Sequence, residues 1–269
     1  MFPAPFDLQC PVASPDSPVT VEVVSAGIIH ADKKLVVNTG ESGPIDLSLT
    51  MGLIHHPAGL VMVDAGMGQA TRDGTWPHFP LSPKGTDLPA GWTAKDRGLT
   101  PLRVLLTHAH YDHIGGLMDL PGAEVWLWNT EWQFMHAGDP SAGAVLRSDL
   151  KFRPVLPDAQ VLGQPATDVM GDGSIWYLQL PGHTPGAAAV LVRAKDGPYL
   201  FIGDTAWVRE HLENARRPWF TAAIIDSDLK LLGQSLEWAR WLVHHCPDLR
   251  VITGHDARDV TTAAPSPGG

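Results

Sequence analysis

The sequence predicts a layered α/β protein whose functional groups gather at the ends of β-strands. Three short apolar strands are each followed by a glycine-marked turn that contains a residue able to bind a metal ion. The strands are residues 175–180, 199–202 and 250–252, and the turns after them carry His183, Asp204 and His255. In layered α/β folds the active site lies at the strand ends, so we expect these three side chains to converge.

The strongest functional signal is the segment 105–116, LLTHAHYDHIGG, in which three histidines and an aspartate lie within six residues. The apolar residues before the histidines read as a short buried strand. Because side chains alternate along a strand, His108 and His110 share a face, and the following turn brings Asp112 and His113 to a second position. Imidazole and carboxylate groups bind zinc and similar metals, so the loop predicts two neighbouring metal positions.

Composition limits the class of protein. The chain has 269 residues, 44% of them hydrophobic, and is expected to form one domain, residues 19–269, preceded by an irregular proline-rich arm, residues 1–18. A formal net charge of −10 without a basic tract argues against a nucleic-acid partner. The two cysteines, Cys10 and Cys246, lie far apart in sequence, so we expect neither a disulfide framework nor a cysteine zinc site.

The first residues of the chain show no positively charged segment and no unbroken apolar stretch, which argues against a signal peptide and a membrane span. We therefore predict a cytoplasmic protein without a membrane partner, although a chain whose leader had been removed would look the same. The proline-rich arm and residues 72–98 could each form the contact of a homodimer.

The first half of the chain is expected to supply strands and one long loop. Residues 19–24, 45–54 and 60–63 read as strands, the last of which ends at Asp64. Asp64 is interpreted as a carboxylate that orients a ligand histidine, or as a simple turn former. Residues 72–98, rich in glycine, proline and tryptophan, are interpreted as a wall of the active-site cleft, because so long a loop usually has a function.

After the metal-binding loop the sequence predicts two short helices with a strand between them. Residues 114–120 and 131–136 read as the helices and residues 124–128 as the strand. Thr130 and Gln133 fit a capping box at the start of the second helix.

A longer helix is expected over residues 229–243, where apolar side chains recur at spacings of three and four residues. Asp226 or Ser227 precedes it as the N-cap residue. The apolar stripe indicates that this helix covers one face of a sheet.

Four motifs, HAHYDH, PGHTPG, GDT and GHD, occur in that order at residues 108–113, 181–186, 203–205 and 254–256. In this order and at these separations they resemble the metallo-β-lactamase superfamily, and the resemblance runs from about Val19 to Asp259. The resemblance implies a four-layer αββα sandwich with the metals at one sheet edge.

The resemblance also implies a role for each ligand residue. The first metal would be held by His108, His110 and His183, the second by Asp112, His113 and His255, and Asp204 would bridge both. The implied cofactor is two Zn²⁺ ions per chain, although iron, manganese or cobalt could replace zinc because ligand type alone does not select the metal. Water held between two such ions loses its proton near neutral pH, so a hydroxide nucleophile needs no protein base.

Within the superfamily the sequence is most similar to the N-acyl-homoserine lactone lactonases. The β-lactamases proper lack an aspartate at the Asp204 position, and the glyoxalase II branch adds a helical domain where only 14 residues follow His255 here. The lactonases also carry a Thr-Glu-aromatic segment like residues 130–132. The expected function is therefore hydrolysis of a small-molecule lactone or a related ester.

One position departs from the lactonase pattern. Those enzymes carry a tyrosine three residues after the bridging aspartate, and here that residue is Trp207, whose indole N–H donates a hydrogen bond but cannot relay a proton. Tyr111 in the metal-binding loop could supply a hydroxyl, or could simply pack against the loop. Asp112 or a metal-bound water is expected to deliver the proton to the leaving alkoxide.

Other functions use the same residues. A phosphotriesterase or an aryl esterase would need the same metals and water, whereas a β-lactamase or a non-catalytic binding protein fits the complete ligand set less well. Large aromatic side chains could line a pocket for an acyl chain or simply fill the core: Trp76, Phe79, Trp207, Trp219 and Phe220.

Overall fold

The structure is a computed structural model, and it describes residues 8–12, 14, 16–76, 85–138, 142, 145–147 and 149–261. The strands within these residues form two sheets. The first sheet has the order β4-β1-β2-β3-β5-β6-β7 and contains β1 (Thr20–Asp32), β2 (Pro44–His56), β3 (Gly59–Val63), β4 (Thr86–Asp87), β5 (Arg103–Leu105), β6 (Glu124–Trp128) and β7 (Lys151–Val155). The second sheet has the order β13-β12-β11-β10-β9-β8 and contains β8 (Ala159–Val161), β9 (Gln164–Asp168), β10 (Ile175–Gln179), β11 (Ala188–Ala194), β12 (Gly197–Phe201) and β13 (Arg250–Ile252).

The helices lie between and after these strands. They are α1 (Lys33–Val36), α2 (Gln69–Arg72), α3 (Tyr111–Ile114), α4 (Asn129–His136), α5 (Arg209–Glu213), α6 (Trp219–Ile225) and α7 (Leu229–His245). Among the described helices only α7 is long. Leu232 and Ala239 of the expected apolar stripe are buried, as are Trp238 and Leu242, whereas Leu229 and Val243 at the two ends of the stripe are exposed.

Three clusters of buried apolar side chains separate four layers. The middle cluster lies between the sheets and joins side chains such as Val63 of the first sheet to Tyr177 of the second. A second cluster packs α7 on the outer face of the second sheet and includes both Trp238 and Leu200. A third cluster covers the outer face of the first sheet and includes Ile114 of α3. The four-layer αββα sandwich expected from the sequence is confirmed.

The helix starts differ from the sequence expectation in two places. Helix α4 begins at Asn129, and the residue before it, Trp128, makes no side-chain cap. The predicted capping box of Thr130 and Gln133 is wrong, because Thr130 already lies inside the first turn of the helix. Helix α7 is capped by Asp228, whose carboxylate accepts from the two backbone N–H groups of Lys230 and Leu231. Neither Asp226 nor Ser227 is the cap.

The α-helix expected after the metal-binding loop, residues 114–120, is not formed as such. Helix α3 ends at Ile114, and residues 115–119 continue as a 3₁₀ helix. Glycine is needed here because a Cβ atom on Gly116 would lie 2.1 Å from the Ala65 carbonyl oxygen, and one on Gly115 would lie 2.5 Å from the Trp76 ring. The close contact fixes the loop against the end of β3.

A disulfide joins Cys10 to Cys246 across 236 residues of sequence, which the expectation of no disulfide framework did not foresee. Sequence distance did not exclude the bond, because the arm returns to the end of α7 and Leu8 packs against the same core cluster as that helix. Disulfides are unusual in the cytoplasm, and the cytoplasmic location stays a prediction.

Loss of this disulfide is expected to destabilise the chain. Because the bond closes nearly the whole chain into a loop, Cys10→Ser should lower the free energy of unfolding by about 2–4 kcal/mol. Denaturant unfolding of the wild type with and without reductant measures this loss. The Cys10→Ser variant is the control, because it has no disulfide and its midpoint should not change with reductant. A wild-type midpoint that does not respond to reductant would contradict the bond.

The remaining described part of the arm has no helix or strand, as expected, and the separation of arm and domain at residue 18 stays a prediction. None of the helices in the described ranges has the length and apolar character needed to cross a membrane. Phe79, expected in the cleft wall, lies outside the described residues.

Candidate metal centre

The candidate metal centre is built from strand ends that meet at one edge of the sandwich. The loop after β5 carries His108 and His110, and α3 places Asp112 and His113 directly after them. The turns after β10, β12 and β13 supply the other three side chains, His183, Asp204 and His255. All seven residues that the sequence singled out as ligands are therefore brought together, and all but half-buried His110 are buried.

The first group of candidate ligand atoms belongs to His108, His110 and His183. The Nε2 atom of His108 lies 3.1 Å from Nδ1 of His110 and 3.1 Å from Nε2 of His183. The latter two nitrogens are 2.9 Å apart. Zinc–nitrogen bonds of about 2.0–2.1 Å in a tetrahedral site place the ligand nitrogens roughly 3.3 Å from one another. The triangle therefore has nearly the size that one shared cation requires.

The second group belongs to Asp112, His113 and His255. Oδ2 of Asp112 is 3.7 Å from Nε2 of His113 and 3.5 Å from Nε2 of His255. Asp204 lies between the groups: its Oδ1 is 3.3 Å from Nε2 of His113 and 3.1 Å from Nε2 of His255, and its Oδ2 is 3.4 Å from Nε2 of His183. One carboxylate reaches both groups, which is the arrangement a bridging ligand needs.

Two atoms of the centre have no hydrogen-bond partner among the described residues although they are fully buried. They are Nε2 of His113 and Oδ1 of Asp204. A buried polar atom without a partner costs about 1–3 kcal/mol, so such atoms call for a ligand. Nitrogen and carboxylate donors together suit zinc and its neighbours, and the residues present thus fit a pair of metal ions.

Three buried histidines are each held through the ring nitrogen that faces away from the centre. Nδ1 of His113 contacts Oδ2 of Asp64 at 2.8 Å, Nδ1 of His183 contacts Oδ1 of Asp226 at 2.6 Å, and Nδ1 of His255 contacts the Ser48 carbonyl at 2.9 Å. When Nδ1 donates to such an acceptor, the lone pair of Nε2 points into the centre.

The orienting role suggested for Asp64 is confirmed. Besides His113, its carboxylate accepts from the backbone N–H and the hydroxyl of Thr107, each at 2.7 Å. Its φ of 58° lies in the left-handed region, so Asp64 also forms the turn after β3. The corresponding role of Asp226 was missed, because the sequence pattern favoured it as a helix cap.

Glu131 joins the two loops of the first group and was not recognised as a site residue. The side chain is 1% exposed, and Oε1 accepts from the backbone N–H of Ala109, between two ligand histidines, at 2.8 Å. Oε2 accepts from the Thr184 hydroxyl at 2.8 Å and the Gly186 N–H at 2.9 Å, on the turn that carries His183. The only sequence signal was the Thr-Glu-aromatic segment.

Charges around the centre favour a cation. Burial, and then the neighbouring histidines, hold the pKa of His108 well below its usual value. Burial alone would lower the pKa of His113, but the carboxylates of Asp64, Asp112 and Asp204 outweigh it and raise that pKa well above its usual value. Burial alone would likewise raise the pKa of Asp204, but nearby histidines hold it well below its usual value. The Asp204 carboxylate therefore stays charged.

Trp207 and Tyr111 border the centre. The Trp207 ring centroid is 6.2 Å from that of His255, and its buried Nε1 has no partner within the described part of the chain. Tyr111 is half-buried and packs against the core cluster under the first sheet. Burial, followed by the charges of Asp112 and Asp204, raises the pKa of its hydroxyl, so the phenol stays protonated.

The aromatic side chains expected to line a pocket lie in different surroundings. Trp76 is buried under the metal-binding loop, and Trp207 is buried beside the centre. Trp219 and Phe220 lie on α6 and are 79% and 39% exposed. Trp219 borders a groove of about 890 Å³ between α6 and α7, and none of the seven candidate ligand residues lines that groove.

His211 supports Trp207 from the protein interior. Its Nδ1 accepts from the Trp207 backbone N–H at 3.2 Å and its Nε2 donates to the Val36 carbonyl at 3.0 Å, so the ring is neutral. Burial, followed by the charge of Arg217, lowers its pKa to about 3.

Acid should therefore destabilise the fold through His211. The unfolded chain protonates a histidine near pH 6.5 and the folded chain only near 3, so the unfolded state binds more protons between these values and stability falls as the pH falls. Between about pH 7 and 5 we expect a loss of about 2 kcal/mol from this residue. Urea unfolding at both pH values should show a smaller loss for His211→Gln, with exposed His244→Gln as the control. Equal losses in all three proteins would contradict this.

Comparison with known proteins agrees with the geometry. The sequence profile of the Metallo-beta-lactamase superfamily matches residues 45–239, well over half of the chain. The chain therefore belongs to the metallo-β-lactamase superfamily.

Curated relatives place the chain within the superfamily. It is 28% identical over 235 residues to N-acyl homoserine lactonase AttM of Agrobacterium fabrum, covering 82% of this chain and 86% of that protein. It is also 30% identical over 239 residues to a probable metallo-hydrolase of Mycobacterium tuberculosis, covering 76% of this chain and 73% of that protein. The chain is a metallo-hydrolase, and its relatives include proteins named as lactonases.

Solved structures share the fold. A mutant of Bacillus thuringiensis AiiA with N-decanoyl-L-homoserine bound at its active site superposes with a TM-score of 0.71 at 17% identity, covering 88% of this chain and 93% of that one. AidC, a dizinc quorum-quenching lactonase in complex with its product, gives a TM-score of 0.60 at 17% identity, covering 94% and 93%. At these identities the likeness concerns the fold alone.

Proposed function

We propose that the chain is a dinuclear zinc hydrolase that opens a lactone, similar to an N-acyl-homoserine lactone, or cleaves a related ester. The observation that carries this proposal is the position of Asp204 between two groups of three ligand side chains. The similarity to lactonases named AttM, and the two zinc ions named for AidC, support it. Iron, manganese or cobalt would suit the same donors.

The seven ligand residues would hold the two ions, His108, His110 and His183 on one and Asp112, His113 and His255 on the other, with Asp204 shared. When bound, such a pair of cations supplies a nucleophile at neutral pH by lowering the pKa of water, and polarises the carbonyl oxygen of the substrate.

The chain's own residues then orient the substrate and handle the leaving group. The Asp112 carboxylate is buried at the centre, 3.5 Å from Nε2 of His255, where it can take up the proton of the hydroxyl group added to the carbonyl carbon and pass it to the leaving alkoxide. The buried indole N–H of Trp207 has no hydrogen-bond partner among the described residues and would donate to a substrate oxygen bound beside it. Tyr111, protonated at neutral pH, can donate but cannot act as a base.

A substrate panel tests the proposal. Purified protein would be assayed against a series of N-acyl-homoserine lactones, aryl esters, cephalosporins and phosphotriesters, with metal-stripped protein as the control. We expect the highest kcat/KM for a lactone and no turnover without metal. Turnover of the phosphotriester or the cephalosporin alone would overturn the lactonase proposal.

A further inference from the structure

A buried ion pair lies directly behind the candidate metal centre. Arg217 precedes α6 and Asp226 follows it, and Nη1 of Arg217 donates to Oδ1 of Asp226. The side chains are 5% and 0% exposed. Arg217 has no part in the sequence-based account of the site, and Asp226 enters it only as a possible helix cap.

The pair contacts three components of the centre. Oδ1 of Asp226 accepts from Nδ1 of His183, a member of the first ligand group, at 2.6 Å. Nη2 of Arg217 donates to the backbone carbonyl of Asp204, the residue between the two groups. The guanidinium carbon of Arg217 lies 4.4 Å from the centroid of the Trp207 ring, within the range of a cation–π contact.

Stability alone does not account for this pair. Taking two charges out of water costs several kcal/mol per ion, which mutual attraction repays only when every remaining polar atom is satisfied. Here Nε of Arg217 and Oδ2 of Asp226 have no partner among the residues that the structure describes. What the pair does achieve is a fixed relation between His183, Asp204 and Trp207.

We propose that Arg217 and Asp226 act as one positioning unit for the metal centre. The reaction that this unit serves is the one given under the proposed function, on which this part of the inference rests. Asp226 keeps the His183 proton on Nδ1 and so directs the Nε2 lone pair at the metal position. Arg217 fixes the backbone of Asp204 and the plane of Trp207. Removal of either residue leaves the other with a buried uncompensated charge. The loss of either one therefore disturbs all three contacts.

Metal binding without substrate tests this unit. Metal-free protein would be titrated with Co²⁺ and with Zn²⁺ against a chromophoric chelator, for the wild type, Asp226→Asn, Arg217→Lys and the double variant. We expect each single variant to bind one of the two ions about 10–100-fold more weakly, the range typical when a partner of a metal ligand is removed. The double variant should be no weaker than the weaker single variant, because the residues act as a unit.

Arg240→Lys is the matched control. Arg240 is also buried and donates to the backbone carbonyls of His211 and Ala215, but none of its recorded hydrogen bonds reaches a ligand residue. Its lysine variant should bind both ions as the wild type does, and the Co²⁺ absorption spectrum should change only in the Arg217 and Asp226 variants.

Three results would overturn the positioning unit: wild-type affinities in both single variants, additive losses in the double variant, or an equal loss in Arg240→Lys. Asp226→Asn preserves side-chain shape, so it decides the question even if Arg217→Lys does not fold. The metal titrations contain no substrate. A substrate panel without lactone turnover would therefore overturn the proposed function but would not change the result of the titrations.

Discussion

Replacement of Asp204 by asparagine is expected to lower kcat by more than about 100-fold. Removal of a residue that only orients a metal ligand costs up to about 100-fold, and loss of a shared ligand should cost more. The aspartate offers one oxygen to His113 and His255 and the other to His183. Asparagine has a single carbonyl oxygen, carries no charge and presents an NH₂ donor to one group of nitrogens. The variant should therefore bind about one ion instead of two.

Elemental analysis and steady-state kinetics of the same preparation measure both effects. Asp248→Asn, which changes an exposed aspartate near β13, is the matched control and should keep full activity and metal content. An Asp204→Asn variant with two ions and undiminished turnover would show that the carboxylate does not bridge.

Removal of metal is expected to abolish turnover and to lower the melting temperature by about 10 °C. A ligand present at 1,000 times its Kd contributes about 4 kcal/mol, and 1 kcal/mol shifts the midpoint of a domain of this size by roughly 2–4 °C. Without the cations the imidazole nitrogens, 2.9–3.1 Å apart, and the Asp204 carboxylate lose their common partner.

Thermal unfolding before and after chelation, with metal loss confirmed by elemental analysis, measures this shift. Added Zn²⁺ should restore both the midpoint and the activity. Metal-free protein that melts at the wild-type temperature would contradict the expectation that the centre needs its ions.

The parts of the centre that follow from local sequence were predictable. His108 to His113 lie in one short segment formed by the loop after β5 and the start of α3. His183, Asp204 and His255 each follow an apolar strand, so the end of each strand sets the position of its candidate ligand residue. Asp64 could be interpreted in the same way, because it directly follows β3 and lies beside that segment.

The parts that depend on tertiary contacts were not predictable. Asp226 has the sequence signature of a helix cap. It lies beside His183 because the backbone N–H groups of Ser227 and Asp228 donate to the carbonyls of His183 and Gly182, a tertiary contact that local sequence does not show. Glu131 fits a helical start but bonds two distant loops. The Cys10–Cys246 disulfide depends on the path of the arm, which proline-rich sequence does not specify.

The central claim is that strand ends far apart in sequence hold two metal ions around Asp204. Anomalous diffraction from crystals of protein purified without chelator, recorded on both sides of the zinc absorption edge, tests it most directly. The account predicts two peaks about 3.5–4 Å apart, one against His108, His110 and His183 and the other against Asp112, His113 and His255. A map without anomalous density at these side chains, or with a single peak that Asp204 does not contact, would contradict it.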